Sequence, residues 1–116
     1  MFVRKQLVQI LTSEGFDIID VASNGKEAVE KYKENHPKID LVTMDITMPV
    51  MNGIDSLKAI LDFDNEAKIV MVSAIGKQDY VKKSLLLGAK NYIVKPLNRK
   101  KVLARVCKAL GINFSE

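Results

Sequence analysis

The sequence is short of several things, and each shortage closes off a class of protein. Among 116 residues there is one cysteine, one histidine, three prolines and no tryptophan. The single Cys107 excludes an internal disulfide, and with it a disulfide-stapled scaffold. Cys107 shares an amphipathic helical pattern with Leu103, Val106 and Leu110. His36 sits beside Pro37, where a helix is expected to stop, so both residues read as structural rather than as a thiol–imidazole pair. No apolar run approaches the roughly 20 residues of a membrane span. The opening Met1-Phe2-Val3-Arg4-Lys5 lacks the continuous hydrophobic stretch of a secretory signal, so a cytoplasmic chain without membrane insertion is expected. No glycine-rich loop follows an apolar run, which speaks against a nucleotide-binding protein. Acidic residues are absent before Glu14.

What is present suits an ordinary globular domain. Hydrophobic residues make up 47% and charged residues 28% of the chain. At this length a single domain over 1–116 is expected, without linker, repeat or low-complexity tract. The net charge of +4 raises the question of nucleic acid. Its clusters, Lys82-Lys83 and Arg99-Lys100-Lys101, have no interleaved aromatics and no DNA-reading motif, so they read as solvated helix faces without direct nucleic-acid binding.

Hydrophobic periodicity divides the chain into alternating units. A helix is expected from about Phe2 to Glu14, with Val3, Leu7, Ile10 and Leu11 on one face and Gly15 as its stop. A strand over Asp17–Val21 follows. Asn24 then caps a helix, with Glu27 three residues on, Ala28, Val29 and Tyr32 inward, and Pro37 ending it. The run Ile39–Met44 reads as a strand. The loop Ile46–Asn52 leads to a helix carrying Ile54, Leu57, Ile60 and Leu61. Lys68–Val72 is a third strand; Gly76 precedes a helix with Val81, Leu85 and Leu86, ended by Gly88. A fourth strand, Tyr92–Val94, precedes a last helix through Val102, Leu103, Val106 and Leu110, stopped by Gly111. Repeated strand-then-helix units predict an α/β fold with a parallel sheet.

Three of the four strands end in chemistry, at Asp45, Ser73 and Lys95. In an open parallel sheet, ligands sit outside the carboxyl ends of the strands, so a carboxylate, a hydroxyl and an ammonium are expected to meet at one site. Taken singly, Asp45 could merely cap a turn, Lys95 could be a solvated lysine, and Tyr92 a half-buried strand aromatic.

The segment Met44-Asp45-Ile46-Thr47-Met48-Pro49-Val50-Met51-Asn52-Gly53 resembles the phosphoacceptor region of response-regulator receiver domains. Ser73-Ala74 resembles the family's hydroxyl position, and Tyr92-Ile93-Val94-Lys95-Pro96 its aromatic switch, lysine and following proline. The spacings, 28 residues from Asp45 to Ser73 and 22 more to Lys95, fit as well. Within the family, the Asp45 stretch is most similar to stand-alone CheY-like chemotaxis proteins.

The resemblance implies a flavodoxin-like (CheY-like) doubly wound fold with strand order 2-1-3-4-5. It also implies a phosphoacceptor response regulator of two-component signalling, in which Asp45 takes a phosphoryl group from a histidine kinase. Lys95 and Ser73 would stabilise that group, Tyr92 would act as the switch, and Pro49, Gly53 and Pro96 would shape the turns. A receiver promotes its own phosphotransfer and dephosphorylation but is not a conventional enzyme. Mg²⁺ would be held by Asp45, the Thr47 backbone carbonyl and one of an acidic pair that closes the family's first strand. An output protein would bind the face built from the fourth helix and the last strand and helix.

Here Phe2-Val3-Arg4 matches the start of the family's first helix, so the first strand and its acidic pair are not among residues 1–116. Weakened Mg²⁺ binding and impaired phosphotransfer are expected in consequence. Losing an interior strand would leave its two neighbours about 10 Å apart. Self-association through the incomplete sheet is therefore expected. The alternative function is a non-phosphorylated receiver remnant acting as a structural or oligomerising module.

Overall fold

The structure, a computed structural model, describes residues 2–46, 52–74 and 76–112. Its elements, in order, are α1 (Phe2–Ser13), α2 (Gly25–Asn35), a 3₁₀ turn (His36–Lys38), β1 (Val42–Asp45), α3 (Gly53–Phe63), β2 (Ile69–Ser73), α4 (Gln78–Leu87), β3 (Asn91–Val94) and α5 (Arg99–Leu110).

Short polar residues set the helix starts. Asn24, Asn52 and Asn98 each accept a hydrogen bond from the backbone amide three residues on, that of Glu27, Asp55 and Lys101, at 2.8, 2.9 and 3.1 Å. Each bond satisfies one of the amides that a first turn leaves without a helical partner. At α2 the Glu27 carboxylate also accepts the amide of Ser23, the residue before the cap, at 2.9 Å. At the other end of α4 and α5, Gly88 and Gly111 take the positive φ that closes a helix.

The sheet is parallel, in the order β1-β2-β3, with Asp45 beside Val72 and Ser73 beside Val94. All five residues of the central β2 are buried. Its alternation divides the core into two layers. Ile69 and Met71 face Val29, Tyr32, Ile54, Leu57, Ile60 and Val81 of α2, α3 and α4. Val70 and Val72 face Leu7, Leu11, Val102, Leu103 and Val106 of α1 and α5.

Two expectations from the sequence need correction. Asp17–Val21 is not a strand. A strand exists only through ladder partners, and among the described residues no backbone bond joins this segment to another strand. It is tied to α2 instead: the Lys31 ammonium donates to the Val21 carbonyl and pairs with Asp20 and Glu27 at 3.2 and 3.3 Å. The Val21 and Ser23 backbone amides first, and Lys31 second, hold the Asp20 and Glu27 carboxyls below their usual range, and the Asp20 contact above all raises Lys31. Between this segment and β1 lies a groove of about 710 Å³, with Leu7, Leu11, Ile18, Tyr32, Val42 and Val106 among its lining. Protein interiors hold few voids larger than a water molecule, so this is a gap in the packing.

The second correction concerns α4. Leu85 and Leu86 were expected on its inner face, yet they are 39% and 84% exposed. Val81 is buried, as its place in that apolar set implies, and Ser84 takes the other inner position. Ser84 tolerates burial because its hydroxyl donates to the Tyr80 carbonyl at 2.8 Å, one turn back along the same helix.

Candidate functional site

The carboxyl ends of the three strands carry Asp45, Ser73 and Lys95, as the alternation of strands and helices predicts. The ladder continues past each strand and fixes these ends. Ile46 donates to the Val72 carbonyl at 3.0 Å, and Lys95 donates to the Ser73 carbonyl at 2.7 Å. The Lys95 side chain then turns across the sheet. Its ammonium donates to Asp45 Oδ2 at 3.0 Å, joining residues 50 apart in sequence. Both side chains are about a third exposed, 28% for Lys95 and 32% for Asp45. The pair is therefore reachable from solvent, and its net contribution to stability is modest.

Ser73 is buried, 1% exposed. Its hydroxyl donates to the Ala74 carbonyl at 3.0 Å, so the proton is engaged within its own turn. Gly53 opens α3, and its amide donates to the Ile46 carbonyl at 2.8 Å. A Cβ there would lie 2.1 Å from the Asp45 carbonyl oxygen, so only glycine fits beside the backbone of Asp45. Pro96 follows Lys95 through a cis peptide bond. Thr47 and Pro49 lie outside the described residues.

Tyr92 sits on β3, beside Met71 of β2, half-buried against the α2–α4 layer of the core. One partner of its ring was not legible in the sequence: the Arg105 guanidinium lies 4.7 Å from the ring centroid. Arg105 comes from α5, and no periodic pattern links a helix residue to a strand residue across a sheet edge.

A carboxylate oxygen beside a lysine ammonium is suited to a negatively charged electrophile, because the carboxylate can attack while the ammonium draws an anionic oxygen alongside. Mg²⁺ asks for octahedral oxygen ligands, usually one or two carboxylates plus water. Among the described residues no three His, Cys, Asp or Glu side chains group as metal ligands. Asp45 alone supplies a carboxylate here, and Lys95 already pairs with one of its oxygens. One carboxylate with water is within what Mg²⁺ accepts.

Residues 1–107 match the family described as the response regulator receiver domain, and the chain belongs to that family. Within it the chain is CheY-like. It is 63% identical to the chemotaxis protein CheY of Treponema pallidum over 110 residues, which is 95% of this chain and 76% of that protein. CheY of Bacillus subtilis is 49% identical over 110 residues, 95% of this chain and 90% of that protein. Among solved structures, the CheX–CheY–BeF3–Mg²⁺ complex from Borrelia burgdorferi is similar with a TM-score of 0.88 and 58% identity, covering 92% of this chain and 80% of that one. The NtrX receiver domain of Brucella abortus gives the same TM-score at 23% identity over 97% of this chain and 92% of that one, a likeness of fold. No helix among the described residues is long and apolar enough to cross a membrane.

Proposed function

We propose that this chain is a single receiver domain and a phosphoacceptor of chemotaxis-type two-component signalling in the cytoplasm, with Asp45 as the acceptor. The supporting observation is the Asp45–Lys95 contact at the carboxyl ends of the sheet, in a chain of this family. A carboxylate oxygen of Asp45 attacks phosphorus. The bond from phosphorus to the imidazole nitrogen of a kinase histidine breaks, and its electron pair stays with the imidazole. Lys95 then pairs with a phosphoryl oxygen in place of Asp45 Oδ2, and the Ser73 hydroxyl rotates from the Ala74 carbonyl to donate to another. Tyr92 is the switch, and Gly53 and Pro96 hold the two loops close. An output protein binds the face of α4, β3 and α5, where Tyr80, Leu86 and Val94 are 48%, 84% and 41% exposed. No direct nucleic-acid binding is part of this reading.

Acetyl phosphate, in which acetate is the leaving group, tests the acceptor. Intact mass should rise by one phosphate in the parent chain and stay unchanged in Asp45→Asn. No phosphate on the parent, or phosphate persisting in the variant, overturns the reading. Mg²⁺, present in the similar CheX–CheY–BeF3–Mg²⁺ complex, would share the Asp45 carboxylate here.

A second reading is favoured by the groove. The groove runs along the edge of β1 that faces Asp17–Val21. In a parallel ladder alternate residues bond to opposite sides. Val42 and Ile46 bond towards β2, which turns the Leu41 and Thr43 amides towards the groove. If copies of the chain associate through that edge, association rather than phosphorylation is the function. Sedimentation separates the two: a monomer at micromolar concentration that takes up phosphate excludes the second reading.

A further inference from the structure

The ring of Tyr92 belongs to an edge strand, so the sheet supports it on one side only. Its other support comes from α5, a helix on the opposite layer of the core. Arg105 reaches round the sheet edge, and its guanidinium stands 4.7 Å from the ring centroid, within the range of a cation–π contact. The guanidinium is itself held, because one of its nitrogens donates to Asn91 Oδ1 at 3.0 Å. That same oxygen accepts the backbone amide of Tyr92 at 2.9 Å, and Asn91 is buried, 7% exposed. Arg105 is thus registered against the backbone of the residue whose ring it covers.

We propose that Arg105 is a positioning residue for Tyr92, a latch that holds the ring at the edge of β3 and sets how readily it moves. The inference rests on the reading of Tyr92 as the switch and adds what regulates it. When the ring moves, the π contact is lost while the bond to Asn91 remains, so the guanidinium stays in place for the returning ring. Lysine at 105 could keep the charge near the ring. It could not lie flat on the ring and bond Asn91 together, since a planar fork is needed for both. A half-exposed cation–π contact biases a two-state side chain about two- to five-fold.

Fluorine NMR of the whole chain labelled with 3-fluorotyrosine tests the latch. There are three tyrosines, and Tyr92 is assigned by its loss in Tyr92→Phe. Without any phosphate analogue, Arg105→Met should shift the Tyr92 signal and raise its response to exchange of H₂O for D₂O. Tyr32 and Tyr80 should stay where they are, and Arg105→Lys should fall between parent and Met variant. An unmoved Tyr92 signal in Arg105→Met overturns the latch. So does equal movement of all three signals, which would mean a general structural effect. Adding beryllofluoride with Mg²⁺ to the parent tests the switch separately. If Tyr92 does not respond there, the switch reading fails, while the comparison without analogue still decides the latch.

Discussion

The region around β2 and the region between α1 and α2 have similar raw material and different outcomes. Ile69–Ser73 is an apolar run with a strand on each side, and every residue in it is buried. Asp17–Val21 carries Ile18, Ile19 and Val21, an equally good strand sequence, yet it has no ladder. Ile19 and Val21 are 47% and 38% exposed there. Strand formation is thus a property of the neighbourhood more than of the segment. The closed region is held by backbone ladders and packed side chains, and the open one by the Lys31 contacts and by the pairing of Arg99 with Glu14.

The most severe way to break the closed region is at Gly53. Gly53→Ala should cost about 3 kcal/mol or more, because the added carbon meets backbone rather than a movable side chain. Urea unfolding gives the number, and a loss under 1 kcal/mol would mean that α3 can retreat from Asp45 without penalty.

Truncating core leucines compares the two regions directly. Leu57, 0% exposed in the α3 layer, should lose about 3 kcal/mol on change to Ala. Leu7, which is buried but lines the groove on one side, should lose less, about 2 kcal/mol. Equal losses would show that the groove closes in solution. Below both falls Tyr32→Phe, on the boundary of the regions. The Tyr32 hydroxyl donates to Asp64 Oδ2 at 2.7 Å, and removing it should cost about 1.5 kcal/mol.

The smallest effect is in pH. Asp20 and Glu27 titrate below their ordinary values in the folded chain, so their contribution is present above those values and is lost as pH falls through the lowered ones. Lys31 is raised, so its share persists until pH climbs through that raised value. Acid should therefore lower the protection factors of the Val21 and Ser23 amides, measured against intrinsic exchange at the same pH, before those of β2. Simultaneous loss of protection in both regions would mean that they unfold as one unit.

Most of the helices were legible because periodicity and punctuation marked them, Asn24 at the start of α2 and glycine after the ends of α4 and α5, whereas the Asn52 and Asn98 caps emerged only in the structure. The convergence of Asp45 and Lys95 was legible too, since parallel strands with polar residues at their carboxyl ends leave few other arrangements. Asp17–Val21 misled because periodicity records which side chains want burial and says nothing of whether a partner strand is there. Leu86 misled because Ser84 can satisfy its own hydroxyl and take the inner position. The Arg105–Tyr92 contact has no signature at all, being made by two elements from opposite layers.

The asparagine caps also give the molecule a chemical lifetime. Two of them, Asn24 and Asn52, are followed by glycine. That neighbour leaves an asparagine side chain most open to attack by the next backbone nitrogen, which ends in aspartate or isoaspartate. Aspartate would still cap, and its charge suits the start of a helix. Isoaspartate lengthens the main chain by one carbon and would unseat the cap. At Asn52 either product would also place a new negative charge at the start of α3, whose first residue touches the Asp45 backbone. Stored protein should therefore age at these two junctions, and peptide mapping against time would show whether the cap bonds slow the reaction.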